Sequence, residues 1–212
     1  MVMAARGAER LRDEAARIAK TYGVRTSAIA CDVGTVAGAD ALMEGVRAFG
    51  GADILVNTAG VLAVAPLEDF TLEDFDQTLA INVRSVFIAS QEAAKHMGEG
   101  ARIINIGSTN ADRMPFAGGG VYAMSKSALV GLTKGLARDL GPRGITVNNV
   151  QPGPVDTDMN PAHGDFAESL IPLMAVGRYG TVEEIASFVA YLVGPEAGYI
   201  TGASLTIDGG FG

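Results

Sequence analysis

Tyr122 and Lys126 stand four residues apart in Tyr122-Ala-Met-Ser-Lys126. On a helix that spacing puts both side chains on one face, an ammonium beside a phenol. A free tyrosine titrates near ~10 and is a poor acid or base at neutral pH. A cation about 4 Å away, at an effective dielectric of about 20, favours phenolate by on the order of a few kcal/mol. One pKa unit is about 1.4 kcal/mol, so a shift toward ~7 is expected. Such a group suits proton transfer to or from a substrate oxygen. Ser108 closes the apolar run ending at Ile106 and could hydrogen-bond the same oxygen. Tyr and Lys at this spacing are more often a surface pair, so the neighbouring residues decide.

The elements that must position these groups follow from periodicity and breakers. Ala8 to Tyr22 reads as an amphipathic helix stopped by Gly23. Val24 to Ala30 reads as a strand running into Cys31-Asp32-Val33, and Thr35 to Phe49 as a helix ended by Gly50-Gly51. Ile54 to Val56 is a short unbroken apolar run, as in a strand buried on both faces. Thr71 to Met97 reads as one long helix, opened by Thr71 and Asp74. Further strands are expected at Ala101 to Ile106, Ile145 to Val150 and Ser204 to Ile207. Further helices are expected at Val121 to Leu140, Phe166 to Met174 and Val182 to Val193.

Strands thus alternate with helices, which predicts a single doubly wound α/β domain over residues 1–212 with a mostly parallel sheet. Ligands of such sheets sit beyond the carboxyl ends of the strands. Asp32, Asn57, Ser108 and Pro152-Gly153 each follow a predicted strand, so they define a rim.

Composition bounds the function. The net charge is −8, which argues against a nucleic-acid groove or an anionic membrane surface. The one cysteine, Cys31, cannot form an internal disulfide and fits a reducing, cytoplasmic compartment. No apolar run approaches the ~18 residues of a membrane span. The two histidines, His96 and His163, lack the spacing of a zinc site, so no metal is expected. Ser108 sits in Ile-Gly-Ser-Thr, which lacks the G-x-S-x-G pattern of a nucleophile elbow.

Ser108 with Tyr122-Ala-Met-Ser-Lys126 resembles the active site of the short-chain dehydrogenases/reductases, and nearly the whole chain resembles that family. The resemblance implies a Rossmann-like fold and hydride transfer between NAD(P) and a carbonyl or alcohol, with NADP slightly favoured. Tyr122 would be the acid/base, Ser108 would orient the substrate oxygen, and Lys126 would lower the Tyr122 pKa and hold the ribose. Asn82 would perturb its helix and hold a water on a proton path to Lys126. Asn57-Thr-Ala59-Gly60 would lie on the adenosine side of the cofactor, and Asp32-Val33 would contact adenine; Asp32 could equally cap the following helix. Pro152-Gly153-Pro-Val155-Asp-Thr157 resembles the segment that meets the nicotinamide carboxamide through Val155 and Thr157. Residues 154–176 would form a mobile substrate lid. Arg6 would meet a 2′-phosphate or lie in solvent.

The family's opening strand, T-G-x-x-x-G-x-G turn and first helix have no counterpart in this sequence. The expectation is an N-terminally shortened chain whose two strands flanking the lost central one keep unpaired backbone groups and an apolar gap. Such a chain should be less stable and bind cofactor poorly. The segments GSTNADRMPFAG and GPEAGYITGASLTIDGGFG are similar to a branch of the same family that binds cyclic-di-GMP. That implies an alternative: a binder of this dinucleotide with little enzyme activity. The resemblance also implies a homo-dimer or homo-tetramer formed through the two long helices and the last strand.

Overall fold

The computed structural model describes residues 1–212. Strands and helices alternate: β1 (Val2–Ala5), α1 (Ala8–Tyr22), β2 (Ser27–Ala30), α2 (Val36–Phe49), β3 (Ile54–Asn57), α3 (Leu72–Leu79), α4 (Ser85–Ala94), β4 (Arg102–Ile106), α5 (Gly120–Leu140), β5 (Thr146–Pro152), α6 (Asp165–Leu170), α7 (Val182–Val193) and β6 (Ser204–Ile207). Every strand pairing is parallel. This is the expected α/β class with a doubly wound arrangement.

Strand β4 shows why the core strands are unbroken apolar runs. Successive strand residues point to opposite faces. Ile103 packs with Ala93, Met97, Ala137, Leu140 and Val147 beneath α4 and α5. Its neighbour Ile104 packs with Val150, Leu192 and Ala197 beneath α7. Both isoleucines are fully buried, each contributing roughly 1.5–3 kcal/mol.

The strands form two sheets, in the orders β1-β2 and β3-β4-β5-β6. Residues of β1 and of β3 line one cavity of about 720 Å³ between the sheets. Ser27 N–H donates to the Met1 carbonyl and Cys31 N–H to the Ala5 carbonyl, so Met1, Met3 and Ala5 turn their backbone groups toward β2. Alternation in a parallel ladder then leaves the N–H and C=O of Val2 and Ala4 facing the gap. Arg102 N–H donates to the Asp53 carbonyl, so Ile54 and Val56 likewise face the gap from β3. The two residues are 48% and 39% exposed. The expected gap with unpaired flanking strands is therefore present.

Three expected elements differ. The helix predicted over Thr71 to Met97 is divided by a π-helical segment, Ala80–Arg84, between α3 and α4. The helix predicted over Phe166 to Met174 ends at Leu170 in a 3₁₀ turn containing Pro172. Proline has no N–H to continue the ladder and crowds the preceding turn. The strand predicted from Val24 begins at Ser27.

Candidate active site

Ser108, Tyr122 and Lys126 line one cavity of about 700 Å³ at the carboxyl ends of β4 and β5. Each is fixed by a different element. Ser108 is extended and buried; its Oγ accepts from Asn110 N–H at 3.1 Å and starts a 3₁₀ turn, Thr109–Ala111. Gln151 on β5 donates to the Ser108 carbonyl at 3.3 Å and to Asp112 at 2.9 Å, and Ser127 on α5 donates to the Ala111 carbonyl at 2.7 Å. The turn carrying Ser108 is thereby fastened to the strand and the helix that complete the site.

Lys126 is 5% exposed and has no carboxylate within ion-pair distance. Its Nζ donates to the Ile106 carbonyl at 2.9 Å. Burial pushes its pKa down to about 8. Its Nζ lies over the Tyr122 ring, 5.8 Å from the ring centre.

Tyr122 departs from expectation. Burial pushes its phenol above the ordinary value, and the hydrogen bond with Ser108 pulls it part of the way back. Lys126 is not among the causes of the shift. Desolvation of a phenolate outweighs the neighbouring ammonium, so the phenol is protonated at neutral pH.

Asn82 sits at the centre of the π-helical segment and is completely buried. Its Oδ1 accepts from Val61 N–H at 2.8 Å, and its Nδ2 donates to the Val61 carbonyl and to Ser125 Oγ, both at 3.0 Å. Ser125 in turn donates to the Tyr122 carbonyl at 2.7 Å. Asn82 thus ties the loop after β3 to the helix that carries Tyr122. A Cβ on Gly60 would stand 3.4 Å from Lys126 Nζ and 3.6 Å from Asn82 Oδ1, so this loop closes directly over the ammonium.

The loop after β5 is equally constrained. Val155 bridges Gly180, with Gly180 N–H donating to the Pro154 carbonyl at 2.9 Å and Asp156 N–H to the Gly180 carbonyl at 3.0 Å. A Cβ on Gly153 would stand 2.7 Å from the Asp208 side chain, so only glycine fits there. Pro152, Gly153, Val155 and Thr157 all line the cavity.

The family described as enoyl-(acyl carrier protein) reductase matches residues 1–212. The chain belongs to the short-chain dehydrogenase/reductase family. It is 50% identical over 201 residues to the cyclic-di-GMP-binding biofilm dispersal mediator protein of Escherichia coli (strain K12), covering 95% of this chain and 83% of that one. It is 62% identical to the solved short-chain dehydrogenase/reductase from Serratia marcescens BCRC 10948, with TM-score 0.94, covering 99% of this chain and 85% of that one. A short chain dehydrogenase from Burkholderia cenocepacia J2315 in complex with NADP is 49% identical, with TM-score 0.95 and coverages of 99% and 86%.

The family's other expected site residues divide. Gly60 lines the Tyr122 cavity, whereas Val33, Asn57 and Ala59 line the gap between the sheets. The Asn57 side chain is engaged inward, donating to Asn105 at 2.9 Å and Ser90 at 3.3 Å. Asp32 accepts from Gly34 N–H at 2.9 Å, while Thr35 rather than Asp32 caps α2. Arg6 is exposed after β1 and lines neither cavity. Met159, Phe166 and Leu170, which share the cavity with Tyr122, fall within the expected lid, residues 154–176, whereas sequence reasoning missed Phe116 and Phe211. They come from separated segments, so no local periodicity groups them.

A nicotinamide cofactor fits the Tyr122 half of this site. The buried Lys126 ammonium has donors beyond the one given to Ile106, and Gly60 and Gly153 let backbone approach closely. No glycine-rich turn forms a pyrophosphate nest among these residues.

Proposed function

We propose that this chain is an oxidoreductase that uses NADP(H) to interconvert a carbonyl and an alcohol. The observation that carries the reading is the convergence of Ser108, Tyr122 and Lys126 on one cavity, with the ammonium buried and unpaired by any acid. When bound, the nicotinamide supplies the hydride to the carbonyl carbon or accepts it from the alcohol carbon. Ser108 holds the substrate oxygen by a hydrogen bond. Tyr122 delivers its phenolic proton to that oxygen in reduction and takes it back in oxidation. Lys126 holds a ribose hydroxyl with its remaining donors and stabilises the phenolate left after proton transfer. Val155 and Thr157 hold the carboxamide. Arg6, at the end of β1, meets the 2′-phosphate, and Asp32, Val33, Asn57, Ala59 and Gly60 flank the adenosine half.

The test is NADPH oxidation by the 212-residue chain with a panel of ketones and aldehydes, beside Tyr122→Phe. Turnover in the parent chain that the variant loses supports the reading. Equal turnover in both removes Tyr122 from the mechanism.

The identity to the cyclic-di-GMP-binding relative favours a second reading, a protein that sequesters this dinucleotide. Within the Tyr122 cavity the only cation is Lys126. Two phosphodiesters would thus meet one ammonium, which favours the oxidoreductase reading. Calorimetric titration with cyclic-di-GMP and with NADPH separates the two. We also infer assembly into a dimer or tetramer through α4 and α5. Phe87 on α4 and Met124 on α5 are each more than two-fifths exposed, which supports that face. Light scattering that gives a monomer mass at micromolar concentration would remove this proposal.

A further inference from the structure

The gap between the sheets has the backbone chemistry of a strand site. Val2 and Ala4 on β1, and Ile54 and Val56 on β3, each turn an N–H and a C=O into it. Alternate residues on the two edges therefore present donors and acceptors at the spacing of a parallel ladder. Strands β2 and β3 are joined by the crossover helix α2, and β1 pairs with β2 in the parallel sense, so β1 and β3 run the same way.

The width suits a single strand. Helix α2 packs on β1 and on α4, and α4 packs on β3. Packed helices stand about 8–10 Å apart, and these two hold β1 and β3 at a similar separation. Paired strands lie about 4.8 Å apart, so two pairings side by side span roughly 10 Å. Both flanking strands have four residues, so an occupant of about four to five residues would be paired on both edges.

The walls set the side-chain chemistry. Leu42 and Met43 of α2, with Ile88 and Ala89 of α4, line the gap. Leu55 packs on the α4 and α5 side, so Ile54 and Val56 turn to the opposite, open face. Val56 and Thr58 line the Tyr122 cavity as well, so the carboxyl end of an inserted strand would emerge beside that site.

The occupant must bring a backbone that is free on both edges. A small apolar ligand would fill volume and leave the N–H and C=O groups without partners. Every strand of this chain already has at least one edge paired, so a folded second copy has no strand that can enter. We propose that the gap is an acceptor site for an extended, proline-free segment of another polypeptide. The segment is apolar toward α2 and α4, inserts parallel to β1 and β3, and joins the two sheets into one.

The probe is the acetylated, amidated peptide Ala-Arg-Ile-Ile-Asn-Ile-Gly, residues 101–107, whose parent strand β4 pairs on both edges in the parallel sense. Calorimetric titration into the 212-residue chain should give one saturable site. The bound peptide should slow hydrogen exchange at Val2, Ala4, Ile54 and Val56 by at least about tenfold. Its Ile104→Pro form lacks a ladder donor and should bind at least about tenfold more weakly. Binding that leaves those four amides as fast as in the free chain, equal affinity of the proline form, or no binding at millimolar peptide overturns the assignment. Protection of the four amides without peptide, in a chain of dimer mass, also overturns it, because strand exchange with a second copy would then already fill the gap.

Discussion

Asn82 and Val61 exchange two hydrogen bonds, Val61 N–H to Asn82 Oδ1 at 2.8 Å and Asn82 Nδ2–H to the Val61 carbonyl at 3.0 Å. A side-chain amide here completes the backbone pairing of a loop, and it does so from the centre of a π-helical turn. Replacing Asn82 with leucine keeps the volume but leaves the Val61 amide and carbonyl without partners in a half-buried setting. Each unsatisfied group costs about 1–3 kcal/mol when fully buried, so with two groups partly reached by water the variant should lose roughly 2–4 kcal/mol. Urea unfolding measures this. Asn82→Gln, which keeps an amide able to accept from Val61 N–H and to donate to its carbonyl, should lose less. Equal losses for both variants would place the effect elsewhere.

The acid/base assignment makes a prediction in pH. Burial holds the Tyr122 phenol protonated at neutral pH, so carbonyl reduction has its proton in place there. Lys126 is charged below about 8 and neutral above it. Reductive kcat/KM should be level through neutrality and fall above about pH 8, where the ammonium that stabilises the phenolate is lost. Tyr122→Phe should lower turnover by roughly 10²–10⁴ at every pH while its circular dichroism matches the parent. A reductive profile that rises through pH 8–9 would contradict the assignment.

Burying Lys126 also writes itself into stability. The folded pKa of about 8 lies below the ordinary 10.5. The unfolded chain therefore binds more protons between these values, and stability contributed by Lys126 rises with pH across the window and is lost as pH falls through about 8. The shift corresponds to roughly 3 kcal/mol. Tyr122 acts in the opposite sense, since its raised pKa makes stability fall above its ordinary 10.0. The difference between the parent and Lys126→Met isolates the lysine. From pH 8 to 10 the parent should gain roughly 2–3 kcal/mol relative to the variant. Parallel curves in denaturant titrations would show the ammonium to be solvated.

How much of this was legible in the sequence depended on where the deciding forces act. Helix α1, helix α7 and strand β6 have the limits that periodicity and caps predict. Gly23 adopts φ 66° to end α1, and Thr181 with Glu184 forms a full capping box for α7. These are local signals. The break at Asn82 was implied by family resemblance alone, because its cause is a hydrogen bond to a loop twenty-one residues away. The direction of the Tyr122 shift was misjudged for a related reason. Spacing names the cation but carries no measure of desolvation, which depends on everything that packs around the ring. Phe166 fell within the expected lid, but its pairing with Phe116 was missed because fifty residues and two elements separate partners that touch only in the folded chain.

The gap between the sheets predicts an alternation of amide protection within single strands. In β3 the amides of Leu55 and Asn57 donate to β4, while those of Ile54 and Val56 face the gap. In β1 the amides of Met3 and Ala5 donate to β2, while those of Val2 and Ala4 face the gap. Exchange requires an amide to reach solvent, so hydrogen-bonded and free amides in one strand should separate by orders of magnitude. Native-state hydrogen exchange followed by NMR should show fast exchange at Val2, Ala4, Ile54 and Val56. Leu55 and Asn57 should be protected, and the doubly flanked β4 amides of Ile103 and Ile104 should be the slowest. Uniform protection along β1 and β3 would mean that the two free edges are paired in solution, through another copy or another strand.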